Sequence, residues 1–94
     1  SLNNPKEAVK FCEKALKMKI QIWGENHVDV ATSYHNLGSC LLYFGEKQES
    51  LQCYQKALKI FTEILGEIHT KVALCNNGIG AAYSAIGKEK EALK

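Results

Sequence analysis

Glycines stand at Gly24, Gly45, Gly66 and Gly87, each 21 residues after the last. The segments between them alternate in type, so the true period is 42 residues. Lys14-Ala15-Leu16-Lys17 returns as Lys56-Ala57-Leu58-Lys59, and Ile22-Trp23-Gly24-Glu25-Asn26-His27 returns as Ile64-Leu65-Gly66-Glu67-Ile68-His69. The register continues through Val30-Ala31 and Val72-Ala73, Gly38 and Gly80, and Glu49-Ser50-Leu51 and Glu91-Ala92-Leu93. A chain built from such units folds by stacking them, each covering the apolar face of its neighbour. The expected division is a single segment over 1–94. It holds the second helix of a partial unit (1–24), one complete unit (28–66) and a further partial unit (70–94).

Each 21-residue step reads as one helix and a turn. Asn4 before Pro5 is an N-cap followed by proline at the first helical position. The first helix then runs to Trp23 and stops at Gly24, a residue suited to a left-handed C-terminal cap. The second spans about Val28 to Phe44, with Val30, Tyr34, Leu37, Leu41 and Phe44 in three- and four-residue steps. The third, about Lys47 to Leu65, carries two stripes. One is Leu51, Tyr54, Leu58, Phe61 and Leu65; the other is Cys53, Ala57, Ile60 and Ile64. A helix apolar on two flanks belongs between neighbours on both sides. The fourth is expected over about Thr70 to Ile86, ending at Gly87, with a fifth starting near Lys88. All four glycine caps are expected at positive φ or in close helix contact. Connectors alternate between very short (Gly45-Glu46) and longer (Gly24 to His27, Gly66 to His69). The architecture implied is all-α, a stack of antiparallel helix pairs.

Composition narrows the function. All 12 basic residues are lysine, against 10 acidic residues, for a formal charge of +2. Weak, dispersed lysine charge without a guanidinium fork argues against a base-reading or phosphate-clamping protein, so no nucleic-acid partner is expected. Lys14, Lys17, Lys56 and Lys59 read as solvated charge on second helices. No apolar run approaches the roughly 20 residues of a membrane span, and no signal pattern opens the chain. Cys12, Cys40, Cys53 and Cys75 form no C-x-x-C motif and have no histidine at ligand spacing, so neither a zinc site nor a redox motif fits. They are expected as reduced core thiols, unreactive until unfolding, which suggests a reducing compartment and cytoplasmic location; disulfides are the alternative. His27 and His69 lie one repeat apart, each just before a helix start, a cap or loop-packing position rather than a metal pair. No serine or cysteine has a nucleophile motif around it, and His35 lacks a partner as a general base. No catalytic residue, metal or cofactor is expected.

The middle unit, with Leu37-Gly38, Leu41, Gly45, Ser50, Tyr54 and Ala57, resembles the tetratricopeptide repeat. The third unit is similar, with Ile79-Gly80, Tyr83, Gly87 and Ala92. The common repeat has 34 residues. The 42-residue form, with Leu65-Gly66-Glu67-Ile68-His69 before Val72-Ala73, resembles the kinesin light chain and nephrocystin-3 type. Val28 and Thr70 stand where that type has proline. The resemblance implies a right-handed superhelix whose first helices line a concave face that binds peptides or partner helices, a non-enzymatic protein-binding scaffold.

On that resemblance the concave lining comprises Thr32, His35, Asn36, Ser39, Leu42 and Tyr43, then Leu74, Asn77, Gly78, Ala81, Ser84 and Ala85. Peptide contacts are expected from Thr32, His35, Asn36, Ser39, Tyr43, Asn77, Ala81 and Ser84. Asn36 occupies the position from which an amide can bond an extended peptide backbone, and its counterpart Gly78 cannot. The alternative for Asn36 and His35 is two solvated polar residues on an open face. Relatives that hold a ligand carboxylate use lysine or arginine in this lining; it contains neither here, so capture of acidic peptides is not expected.

Two further expectations concern packing. Asn76 replaces Tyr34 of the middle unit; either it finds a partner or the third unit is looser. The two ends should expose apolar surface: Val9, Leu16 and Trp23, or Phe11 and Met18, at one, and Ile79, Tyr83 and Ile86 at the other. Glu91-Ala92-Leu93-Lys94 matches Glu7-Ala8-Val9-Lys10 in register, so head-to-tail self-association at high concentration is the alternative role.

Overall fold

Four helices and three turns account for residues 5–93, which are those the computed structural model describes. They are α1 (Pro5–Trp23), α2 (Val28–Tyr43), α3 (Lys47–Leu65) and α4 (Thr70–Ala92). The joints are set by local chemistry. His27 and His69 adopt extended backbone, and each caps the following helix: Nδ1 accepts a 3.0 Å hydrogen bond from the backbone N–H of Asp29 or Lys71. That satisfies one of the donors a helix start leaves unpaired. Trp23 stacks on His27 with 4.4 Å between ring centroids, closing the first joint over the cap. Asn4 lies outside the described residues; Pro5 opens α1 as expected.

Gly45 makes the tight α2–α3 turn at φ 88°. Its N–H donates to Leu42 O at 3.1 Å and that of Glu46 to Leu41 O at 2.8 Å, the paired closing bonds of a left-handed helix terminator. Gly24 and Gly66 also have positive φ, but Gly87 does not. Instead α4 runs on through Gly87 to Ala92, so the expected stop and separate fifth helix are both corrected. Breaking a helix sacrifices backbone hydrogen bonds, and a returning apolar face must offset that loss. Among the residues after Gly87, only Ala92 and Leu93 are apolar, and Leu93 is exposed. Among the described residues no such face is present, and the helix continues to Ala92. Lys47 at the start of α3 meets Glu89 on this extension at 2.9 Å. Opposite substitution effects are expected. Gly45→Ala should destabilise by about 1 kcal/mol through its positive φ. Gly87→Ala, with open space around the added methyl, should stabilise by up to about 1 kcal/mol. Urea denaturation of both variants checks the pair, and loss of stability at Gly87 would contradict a continuous α4.

The core is the seam around α3. Val30, Ala31, Leu37 and Leu41 of α2 meet Tyr54, Ala57, Ile60 and Phe61 of α3, with Val72, Cys75 and Ala82 of α4 and Leu16 of α1 also buried. Among the described residues, α3 packs on both α2 and α4, whereas α1 packs mainly on α2. This is the wedged position its two stripes imply, although Ile64 turns outward. Ser50, fully buried, lets α2 and α3 approach closely and donates from Oγ to Gly38 O at 2.6 Å.

The cysteines depart from the expected core set. All four are free thiols, but only Cys75 is buried; Cys12, Cys40 and Cys53 are half-buried at the rims of helix seams. Partial burial still disfavours the thiolate and pushes Cys53 up to about 11, with Glu49 and Glu13 adding to the effect. Asn76 is exposed, which removes the expected cost of burying its amide. At the α1 end, Val9 and Leu16 pack inward while Phe11, Met18, Ile22 and Trp23 are exposed. On α4, Tyr83 is exposed and Ile79 and Ile86 are half-buried. No helix among the described residues is long and apolar enough to cross a membrane.

Candidate functional site

The outer face of α2 beside α4 holds the polar positions expected to meet a peptide. The three- and four-residue spacing of Thr32, His35, Asn36, Ser39 and Tyr43 puts them on the flank of α2 away from its buried Val30, Leu37 and Leu41. Asn36, Ser39 and Tyr43 are exposed, and Thr32 and His35 half-buried. On α4, Asn77, Ala81 and Ser84 are likewise exposed.

These positions are not equivalent. Thr32 Oγ1 donates to Val28 O of its own helix at 2.9 Å. Ser39 Oγ is hydrogen-bonded to the Tyr54 hydroxyl at 2.9 Å. The His35 ring sits edge-on to Tyr54, 5.2 Å between centroids. Tyr54 therefore reaches from α3 between α2 and α4, against Gly38 and Gly78, and fixes part of the face from behind. Asn36, by contrast, has an amide that makes no hydrogen bond to another described residue. Tyr43 is 84% exposed and packs edge-on to Phe44.

Thr32, His35 and Asn36 line a cavity of about 220 Å³ together with Lys71 and Leu74 of α4, over a floor provided by Phe61 of α3. Ser39, Tyr43, Asn77, Ala81 and Ser84 lie outside it. Lys71 corrects the expectation of a lining without a cation. In repeat register it aligns with Asp29, a turn before the groove positions, but the offset between α2 and α4 brings it to the rim beside Asn36. Leu74 belongs to the wider lining positions expected from the resemblance, whereas the sequence pattern marks Phe61 only as a core residue. The cavity thus combines an apolar base, a carboxamide, an imidazole and a primary ammonium group. Such a set can hold an apolar side chain beside an acidic or carbonyl group. It contains no arranged nucleophile and base.

The histidine caps lie at the joints, away from this face, with Nδ1 occupied as an acceptor. Among the described residues, no cluster of three or more histidine, cysteine, aspartate or glutamate side chains could hold a metal ion. No curated relative matches the chain. A family model for the tetratricopeptide repeat matches it over residues 1–63 and again over 45–94. The overlapping matches cover the helix pairs and the glycine–histidine joints between them, and the chain belongs to the tetratricopeptide repeat family.

Proposed function

We propose that this chain is a non-enzymatic interaction module that takes an extended peptide along the α2–α4 face. The observation that carries the reading is the cavity where Asn36 and Lys71 stand over Phe61 and Leu74. Family membership supports protein binding in general; the chemistry of this cavity favours a peptide with an apolar residue next to an acidic one. Asn36 can pair with peptide backbone, Lys71 can pair with the carboxylate, and exposed Tyr43 extends the same face by a further turn. The 42-residue period and glycine-x-x-histidine joints favour the kinesin light chain and nephrocystin-3 type of repeat.

Two labelled hexapeptides differing only as Leu-Glu against Leu-Lys test this reading by fluorescence anisotropy. The acidic peptide should bind more tightly. Lys71→Ala should weaken it about tenfold, the order expected for one charge-assisted hydrogen bond. The double variant Asn36→Ala, Tyr43→Ala should weaken both peptides. Equal binding of the two peptides, unchanged by any of these substitutions, would exclude this cavity as the site.

The exposed apolar face of α1 favours a second reading, end-to-end association. Phe11, Met18 and Ile22 correspond, one period earlier, to Cys53, Ile60 and Ile64, while Ile79, Tyr83 and Ile86 correspond to Leu37, Leu41 and Phe44. A second copy's α1 could pair with α4 much as α3 pairs with α2. Sedimentation should show concentration-dependent mass that is lost in Phe11→Glu. A strict monomer up to millimolar protein would exclude this association.

A further inference from the structure

Cys12 on α1 and Cys40 on α2 face each other across the helix seam, with their sulfurs 3.4 Å apart. One period later the same two positions hold Tyr54 and Ala82, so the thiol pair is not a feature the repeat requires. Cys53 and Cys75 have no such partner among the described residues. We propose that Cys12 and Cys40 are an oxidation site, forming an intramolecular disulfide that staples α1 to α2.

The geometry needs little change. A disulfide bond is about 2.0 Å long, so the sulfurs must close by about 1.4 Å, within reach of side-chain rotation and a small helix shift. Both thiols are half-buried, leaving a rim through which a small oxidant can approach. With a low-molecular-weight disulfide as oxidant, one cysteine thiolate attacks it, forms a mixed disulfide and releases one small thiolate. The second cysteine thiolate then attacks the protein-side sulfur and releases the other small thiolate. The protein loses two protons and two electrons, and the small disulfide becomes two thiols. Burial, the hydrogen bond to Cys40 and the charge of that neighbour raise Cys12 to about 11. Its thiolate is therefore scarce near neutral pH, and exchange should accelerate as pH rises. Among the described residues α2 is the main helix against which α1 packs, so a crosslink at this seam ties α1 to its principal neighbour. This inference does not depend on the peptide-binding reading.

The test incubates the native chain with oxidised glutathione at pH 8, then alkylates free thiols under denaturing conditions. The expected product is monomeric, carries two blocked thiols instead of four, and yields a Cys12–Cys40 crosslinked peptide with Cys53 and Cys75 alkylated. The cysteines are 28 residues apart, and closing a loop of that size should raise the unfolding midpoint by about 10 °C or more, reversibly with dithiothreitol. Cys12→Ser and Cys40→Ser should each show neither the crosslink nor the shift. Four free thiols after prolonged oxidation, stable glutathione adducts without the internal link, or a link to Cys53 or Cys75 would each overturn the proposal.

Discussion

Tyr54→Ala is expected to cost about 3–5 kcal/mol, the range for removing a large buried ring. A domain of this size has roughly 5–14 kcal/mol in all, so the variant should sit near the edge of folding. Tyr54 is 4% exposed and lies where α2, α3 and α4 meet. Glycines make room for it on both sides. A methyl group at Gly38 would sit 3.1 Å from ring Cδ1, and one at Gly78 only 2.6 Å from Cε1. Truncating the ring opens a cavity there and removes the hydroxyl that bonds Ser39.

Gly78 supplies the stringent control. Alone, Gly78→Ala forces its methyl into the ring, an overpacking cost of about 1–3 kcal/mol, partly offset by about 1 kcal/mol of helix propensity. With Tyr54→Ala already in place, the methyl has room, and the same substitution should stabilise. The coupling between the two sites is therefore expected at about 1–3 kcal/mol, read from a double-mutant cycle in urea. An equal effect of Gly78→Ala in both backgrounds would contradict the packing. Tyr54→Phe, which keeps the ring, should cost no more than about 1 kcal/mol because exposed Ser39 can turn to water.

Gly78 also shows how far the sequence could be read. On helix pattern alone it is a groove position that lost its asparagine; in the structure it accommodates a ring arriving from another helix. The limits of α3 were legible because glycines bound it and two apolar stripes run between them. The cap role of His27 and His69 was legible because an N-cap is chosen by residues within one turn. Gly87 misled because a glycine at repeat spacing permits a turn, whereas the turn itself requires a returning face to pack. The Cys12–Cys40 contact and the arrival of Lys71 beside Asn36 depend on the offset between neighbouring helices. No periodicity within one helix encodes that offset. The open face was legible as a set of exposed residues; the cavity within it was not, because its floor comes from α3.

Phe61 joins the two levels, since the same ring is core and floor. It is 2% exposed, it packs within the main cluster, and its upper edge lines the cavity under Thr32, His35, Asn36, Lys71 and Leu74. Phe61→Ala is expected to cost about 3–5 kcal/mol, lowering the unfolding midpoint by about 15 °C or more in a domain of this size. That loss alone would report only on the core. Phe61→Leu separates the roles, because it retains an apolar side chain in the seam while shortening the floor, and should cost about 1 kcal/mol. At a temperature where both parent and Phe61→Leu are fully folded, the acidic hexapeptide should lose affinity severalfold while calorimetry still shows a cooperative native state. A Phe61→Ala variant as stable as the parent would mean that the ring does not fill the α3 seam. Unchanged peptide affinity in Phe61→Leu would separate the cavity floor from binding, leaving the rim residues Asn36 and Lys71 to act without it.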